Sequence, residues 1–386
     1  MSRFHRVLFL WALGCMAGCM ASSPQMPVTA RPATSSPSSI AASAPAPFPI
    51  PVVQLFGSSQ QLGEQQGQKE DLSIHQLHDN YLIKFVGSGY RRIAALYAAS
   101  LFETQLRPEH RDELRALATA TNIAEQETML GQCFLDLAQL SGCSTVALPA
   151  SASPDHIGRF GRNLDFWSLD VADKYTTVFI VHPNDGRYAY ASIGWPGMIG
   201  VLSGINEHGL CLANMEVPRP MRPPTAMPYT LLYRTVLERC RTVQEAVDLL
   251  KKTPRQTANN LMLMDAAGFR AVAEITPESV NVRWGQPDSA LISTNHQRNQ
   301  DTQTPGLCDR YDYLRAASAI SFGQIDPNRI EQLLAHVGRR GTLQSMIFEP
   351  QTRVLYLSAG TTAASKPFAR IDLRPLFACG VASTKP

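Results

Sequence analysis

The sequence predicts an α+β protein in which antiparallel sheets stack with helices outside. Three observations lead there. Residues from about 73 to 140 read as helical, and at Gly142 the texture changes to short apolar runs between turn signals. Several of those runs pair as hairpins. Further helices interrupt the strands in blocks rather than alternating with them, which argues against a Rossmann or barrel arrangement and for layers.

The first fifty residues precede this body. Arg3 and Arg6 give a basic start, Val7 to Met16 is apolar, and Ala17-Gly18 lead to Cys19. About ten apolar residues are too few to cross a bilayer yet suffice for an export signal. Small residues before a cysteine resemble a bacterial lipoprotein signal. Residues 1–19 are therefore read as such a signal, with Cys19 lipidated as the mature N-terminus. An ordinary signal peptide cut nearby is the alternative, and Cys15 after Leu13-Gly14 is a poorer match for the same chemistry. From Ala21 to Ile50, 23 of 30 residues are Ala, Ser, Pro or Thr. Residues 20–55 should thus form a flexible tether, and the expected location is a bacterial cell envelope, lipid-anchored and facing the periplasm or exterior.

In the helical part, 56–142, Ile74, Leu77, Tyr81 and Phe85 recur at three- and four-residue intervals. A second amphipathic start follows His110-Arg111-Asp112-Glu113, and a third helix is expected from Met129 to Leu140. The remainder, 143–386, opens the strand-rich region. Thr177 to His182, an Asn184-Asp185-Gly186 turn and Tyr188 to Ile193 read as one hairpin; Val201 to Ile205, Asn206 to Gly209 and Leu210 to Ala213 read as another. Thr230 to Lys252 reads as helix, with Thr242 and Glu245 placed as a capping box for its latter half. Strands are expected at Asn260 to Met264, Phe269 to Ile275, Val280 to Trp284 and Ala290 to Thr294. A helix from Pro327 to Val337 and strands at Leu343 to Glu349 and Arg353 to Ser358 complete the pattern.

Composition excludes several functions. The formal charge of +3 is small and its basic residues are scattered, so nucleic-acid binding has no electrostatic footprint. No phosphate-loop pattern occurs among the 25 glycines. Six cysteines lie in the body, Cys133, Cys143, Cys211, Cys240, Cys308 and Cys379, with neither C-x-x-C spacing nor a small disulfide framework. Export permits disulfides, but spacing does not pair these residues.

Chemistry is most concentrated near Cys143, which follows Gly142 at the change of texture. A lone cysteine is more often a small buried hydrophobe than a nucleophile. Arg162 and Asp165 in Gly161-Arg162-Asn163-Leu164-Asp165 read as a surface ion pair at a turn entering a strand. Asn206 and Asn295, each where a strand meets a turn, read as turn-forming amides. Arg159 reads as a surface arginine and His208 as a turn residue. His296 could serve as the base of a Cys–His pair.

These pieces in this order resemble the acyl-coenzyme A:6-aminopenicillanic acid acyltransferase family of N-terminal-nucleophile hydrolases, to which penicillin V acylase and conjugated bile salt hydrolase are related. The resemblance opens on Gly57-Ser58, Gly63, Gln65 and Gly67. It continues through Gly142-Cys143, Arg162-Asn163-x-Asp165, Asn206-Glu207-x-Gly209-Leu210 and Thr294-Asn295-His296. It ends on the strand pair containing Phe348-Glu349-Pro350 and Val354-Leu355-Tyr356.

The resemblance implies a four-layer αββα sandwich of two antiparallel sheets flanked by helices, made as a precursor that cuts itself before Cys143. It implies Cys143 as nucleophile, Asp165 orienting the amine that cleavage frees, and Arg162 keeping the thiolate region positive. Asn206 and Asn295 are implied as oxyanion donors and Arg310 as a further arginine at the centre. In that motif the asparagine before His296 is the catalytic member, so the histidine lines the pocket or braces a loop. A free thiol titrates near 8.5 and an α-amine near 8, so after cleavage Cys143 carries both nucleophile and base. No metal or organic cofactor is required. The expected partners are a small N-acyl amide, the cleaved N-terminal chain and the lipid at Cys19; self-association is left open.

Tyr188, Trp195, Met198, Met215 and Tyr229 could line an acyl pocket, though each also suits a core. The expected activity is hydrolysis of a linear non-peptide amide. Acyl transfer to an amine is the nearest alternative, disfavoured because acyl-coenzyme A is cytoplasmic. A cysteine protease and a processed envelope binding protein without activity are the others.

Overall fold

The computed structural model describes residues 50–138, 142–219, 222–298 and 308–382; the expected signal, Cys19 and nearly all of the tether lie outside them. The chain begins with strand β1 (Val52–Gly57) and continues through helices α1 (Ser59–Leu77), α2 (Ile83–Val86), α3 (Tyr90–Glu103), α4 (Pro108–Thr121) and α5 (Glu125–Leu137). A π-helical turn, His78–Leu82, joins α1 to α2.

The opening glycines and glutamine have structural work. Gly57 adopts φ 116°, a conformation that disfavours a side chain. Ser58 then caps α1, exchanging bonds with Gln61 in a capping box. Gln65 clamps β1 to α1, donating to the Phe56 oxygen at 2.6 Å and accepting its N–H at 3.2 Å. At Gly63, α1 crosses α4 so closely that a Cβ would stand 2.1 Å from the Glu113 oxygen.

Fourteen strands follow from the described residues, in two sheets. Beyond β1 they are β2 (Ser144–Leu148), β3 (Arg159–Asp165), β4 (Thr177–Pro183), β5 (Tyr190–Gly194), β6 (Ser203–Asn206), β7 (Cys211–Glu216), β8 (Asn259–Met264), β9 (Arg270–Ile275), β10 (Val280–Trp284), β11 (Leu291–Ser293), β12 (Thr342–Glu349), β13 (Val354–Ala359) and β14 (Ala369–Asp372). One sheet runs β1-β4-β5-β6-β7-β8-β9-β10, the other β11-β2-β3-β12-β13-β14. Both expected hairpins are present, as β4–β5 and β6–β7.

Helices cover the outer faces. On the smaller sheet, α8 (Asp309–Ile320) and α9 (Pro327–Val337) bury Leu314, Ile330, Leu333 and Leu334 against Val146, Ile292 and Ile347. On the larger sheet, α6 (Tyr229–Arg239) and α7 (Val243–Lys252) bury Leu237, Val243 and Val247, while α3 to α5 form a satellite core around Phe102, Leu117 and Leu130. A last helix, α10 (Arg374–Ala382), follows β14. On the inner face of the smaller sheet, Phe160 of β3 and Phe348 of β12 stand side by side, ring centroids 5.8 Å apart, in the apolar core shared with the larger sheet. This is an αββα sandwich.

Three details depart from expectation. The larger sheet is mixed, because β1 runs parallel to β4, and β1 starts inside the segment read as tether. The helix expected over Thr230 to Lys252 breaks at Cys240 into α6 and α7. Thr242 caps α7 through the Glu245 N–H, but the Glu245 carboxylate takes the N–H of Arg241, one residue short of a full box. Finally, Arg159 is buried, bonded to Asp155 and Glu349.

The helical part is joined to the strand-rich part by a buried ion network. Arg234 of α6 grips Glu113 of α4 with two bonds of 2.9 and 2.6 Å, and its Nε reaches Glu238 at 2.8 Å. Arg187 bonds Glu238 at 2.7 Å and donates to Ser59 of α1 at 2.8 Å. Burial pushes the Glu238 carboxyl up, but Arg234, His110 and Arg187 outweigh it and hold the group well below its usual range.

Candidate active site

The head of β2 lies between the tails of two neighbouring strands. Ser144 pairs with Asn163 of β3, and the Gly142 N–H continues that ladder to the Asp165 oxygen at 3.3 Å. On the other side Thr145 pairs with Ser293 of β11, so Asn295, two residues later, arrives level with Cys143. The Gly142–Cys143 peptide therefore sits at one end of the smaller sheet, flanked by Asp165 and Asn295.

Strand alternation decides what reaches it. Arg162 shares the inner face of β3 with Phe160 and extends between the sheets. Its Nη2 stands 3.8 Å from the Cys143 sulfur, and its Nη1 donates to the main-chain oxygen of Asn214 in β7. Asn163 points the opposite way, bonding the Leu334 oxygen of α9 and the Ser345 hydroxyl. Arg310, in the first turn of α8, closes the outer side. Its Nη1 donates to the Gly142 oxygen and to Asp165 Oδ2, each at 2.8 Å, and its Nη2 to Asn295 Oδ1 at 3.0 Å. The Asn295 amide donates to the Glu216 oxygen of β7 at 2.8 Å. The other Asp165 oxygen accepts from Thr342.

Cys143 is buried at 1% exposure. Burial pushes its thiol above the ordinary range, Arg162 pulls it down and Asp165 pushes it up. Burial likewise raises the Asp165 carboxyl, against Thr342, Arg310, Arg339 and Arg162, and it lowers the Arg162 guanidinium. The result is a neutral buried thiol beside two cations and one carboxyl.

The structure thus brings together Cys143, Arg162, Asp165, Asn295 and Arg310. It does not bring Asn206 to them. Both Asn206 amide hydrogens are committed, to the Leu237 and Cys240 oxygens at 2.8 and 2.7 Å, and its oxygen accepts the N–H groups of His208 and Leu210. That is a buried turn-former locking β6–β7 to α6. The asparagine at the site is Asn214, whose buried Oδ1 has no partner. A lone amide within the apolar run Leu210 to Met215 was the available signal.

His296 faces Thr294 and Arg298, with its Nε2 3.1 Å from the latter, and burial with the surrounding arginines lowers its pKa. His208 stacks edge-on against Tyr188, which Arg241 also contacts. Of the expected pocket residues, Trp195 and Met198 line an apolar pocket, Met215 and Tyr229 are core, and Tyr188 is half-buried beside His208. Among the described residues all six cysteines are free thiols, no cluster of three His, Cys, Asp or Glu could hold a metal ion, and no helix is long and apolar enough to cross a membrane.

A family model described as acyl-coenzyme A:6-aminopenicillanic acid acyl-transferase matches residues 153–311, a span containing Arg162, Asp165, Asn214, Asn295 and Arg310. Protein dcd1A of Dictyostelium discoideum is 23% identical over 384 residues, covering 85% of this chain and 86% of that protein. A mutant conjugated bile acid hydrolase from Clostridium perfringens is 17% identical with a TM-score of 0.44, covering 60% of this chain and 93% of that one. Penicillin V acylase from Agrobacterium tumefaciens is 16% identical with a TM-score of 0.38, covering 61% and 80%. Over residues 153–311, from just before β3 to the first turn of α8, the chain matches the acyl-coenzyme A:6-aminopenicillanic acid acyl-transferase family.

Proposed function

We propose that the protein is an amide hydrolase that makes its own nucleophile by cutting the Gly142–Cys143 bond. The observation that carries this reading is the Gly142 carbonyl, held at 2.8 Å by Arg310 beside the buried Cys143 thiol. A guanidinium on a carbonyl oxygen stabilises the negative charge that attack develops there. The sulfur adds to the Gly142 carbon, the Cys143 nitrogen leaves as an amine carrying the thiol proton, and a thioester joins Gly142 to Cys143. Water then hydrolyses the thioester, leaving a Gly142 carboxylate and a Cys143 with free amine and thiol.

In the mature enzyme the amine takes the thiol proton, the thiolate attacks a substrate amide, and the departing amine regains that proton. Water resolves the acyl-enzyme. Asp165 and the Asn295 side chain border the new N-terminus and Arg162 stays beside the sulfur. Asn214 and Asn295 would be the amides that receive an oxyanion, in place of Asn206, both of whose amide hydrogens are committed. Domain roles follow: 56–142 becomes a bound first chain and 143–386 the catalytic part. The basic–apolar start closing on Gly18-Cys19, with the tether behind it, supports an exported, lipid-anchored body; outside the cytoplasm, water is a more accessible acceptor than acyl-coenzyme A is a donor.

Intact-mass measurement tests the central claim. The wild-type protein should give two chains, one starting at Cys143, and release amine from N-acyl amides; Cys143→Ala should give one inactive chain. An active protein that is still one uncut chain would sink the proposal.

A further inference from the structure

Asn295 stands on a turn with little support of its own. Its strand, β11, has three residues at the edge of the smaller sheet, and the turn begins directly after Ser293. The larger sheet supplies the fastening. Asn260 of β8 is fully buried, and its amide nitrogen donates to the main-chain oxygen of Thr294 at 2.8 Å and to that of His296 at 2.9 Å. Those are the residues on either side of Asn295. Glu274 of β9, paired with Asn260 in the ladder, accepts the Arg298 N–H at 2.9 Å, and Gln297 donates to the Ile275 oxygen at 2.8 Å. The turn thus leaves one sheet and is tied to the other.

Asn260 makes its two bonds at a cost. Its own side-chain oxygen is buried without a partner, which disfavours an amide here unless the donors matter. Without it, two main-chain oxygens beside the site would lose that donor. What the turn carries is a side chain bound at both ends. Asn295 Oδ1 accepts from Arg310 Nη2 at 3.0 Å, and its amide donates to the Glu216 oxygen at 2.8 Å. Through Arg310 the same turn bears on the Gly142 oxygen, 2.8 Å from Nη1.

We propose that Asn260 is a positioning residue for the reaction, fixing this turn so that Asn295 and Arg310 keep their places beside Cys143. The inference rests on the hydrolase reading above and extends it to a residue whose bonds go to main-chain oxygens, not to the reacting atoms. A displacement of about 1 Å in a catalytic group can cost about a hundredfold in rate. The loss should fall on kcat, because the oxyanion forms only in the transition state.

The test uses the two-chain protein and a small N-acyl amide. Asn260→Leu, close in volume and without donors, should lower kcat about ten- to a hundredfold and leave KM within about twofold. Asn295→Ala supplies the deciding background. A residue acting through Asn295 costs little once Asn295 is gone, so adding Asn260→Leu there should lower kcat by less than about twofold. A merely structural role would lower it equally in both backgrounds and overturn the proposal. Asn260→Asp gives a pH signature. A neutral carboxyl donates one bond, whereas a carboxylate donates none and faces two oxygens. Its kcat relative to wild type should therefore rise as pH falls, while the Asn260→Leu ratio stays flat. Should Asn260→Leu not fold, this profile takes its place, and a flat profile counts against the proposal. Hydrogen exchange needs no turnover: residues 291–298 should exchange about tenfold faster in Asn260→Leu, with β4 and β5 unchanged. If the wild type hydrolyses no N-acyl amide, the hydrolase reading falls and exchange decides whether Asn260 holds the turn; unchanged exchange would overturn that as well.

Discussion

Local spacing alone misplaces Arg162. Its three-residue separation from Asp165 looked like a surface ion pair, yet the two lie in one strand, point to different layers and are both buried. Burial raises the Cys143 thiol, and removing the Arg162 charge takes away the strongest pull against that rise. The thiol would then deprotonate at higher pH, so self-cleavage of Arg162→Gln should shift towards alkaline pH. At neutral pH its rate should fall about tenfold, the scale of one lost contact to a charged group. Arg162→Lys keeps the charge without the planar fork and should lie between. Conversion of one chain to two on gels across a pH series checks this; an unshifted profile in Arg162→Gln would detach Arg162 from the thiol. Single residues also show the limit of sequence reasoning. Asn206 and Asn214 are both buried amides eight positions apart on one hairpin, and only the pairing of the sheets shows which of them Arg162 meets.

At the scale of elements, strands and hairpins were legible because alternation and turn chemistry are local. Helix α1 was not, since Ser59 to Glu70 is polar and broken by two glycines, which lowers helix propensity. Those glycines serve a neighbour instead, allowing α4 to lie against α1. Gly63→Ala should cost about 1–3 kcal/mol through overpacking, because its Cβ would meet a main-chain oxygen that cannot rotate away. Thermal unfolding of the uncut Cys143→Ala protein with and without Gly63→Ala measures it. An unchanged midpoint would mean the helices part without penalty. Strand β1 was hidden for a similar reason, since its parallel partner β4 lies more than a hundred residues away.

Across the whole molecule, stacked sheets with helices outside followed from grouped helices and strands and the αββα order from the family resemblance, whereas the joint between the two parts could not be read locally. Arg234 and Glu113 are 121 residues apart, and neither carries a motif. Their buried network ties α1 and α4 to α6, so the proposed cut after Gly142 would leave two chains gripping each other through charge as well as apolar area. Removing one partner of such a network is costly, because the other charge stays buried. Until the cut, the covalent link keeps the halves at a high effective concentration, on the order of millimolar for a short connection. Afterwards only contact holds them. Unfolded in denaturant and diluted, the uncut Cys143→Ala chain should regain its structure at any protein concentration, while recovery of the processed pair should fall with dilution. Equal recovery would show that the first chain finds its partner unaided. On the proposed cut, the buried grip between α4 and α6 would otherwise make maturation a one-way passage: the finished molecule would hold a shape whose assembly instructions included a bond it had since lost.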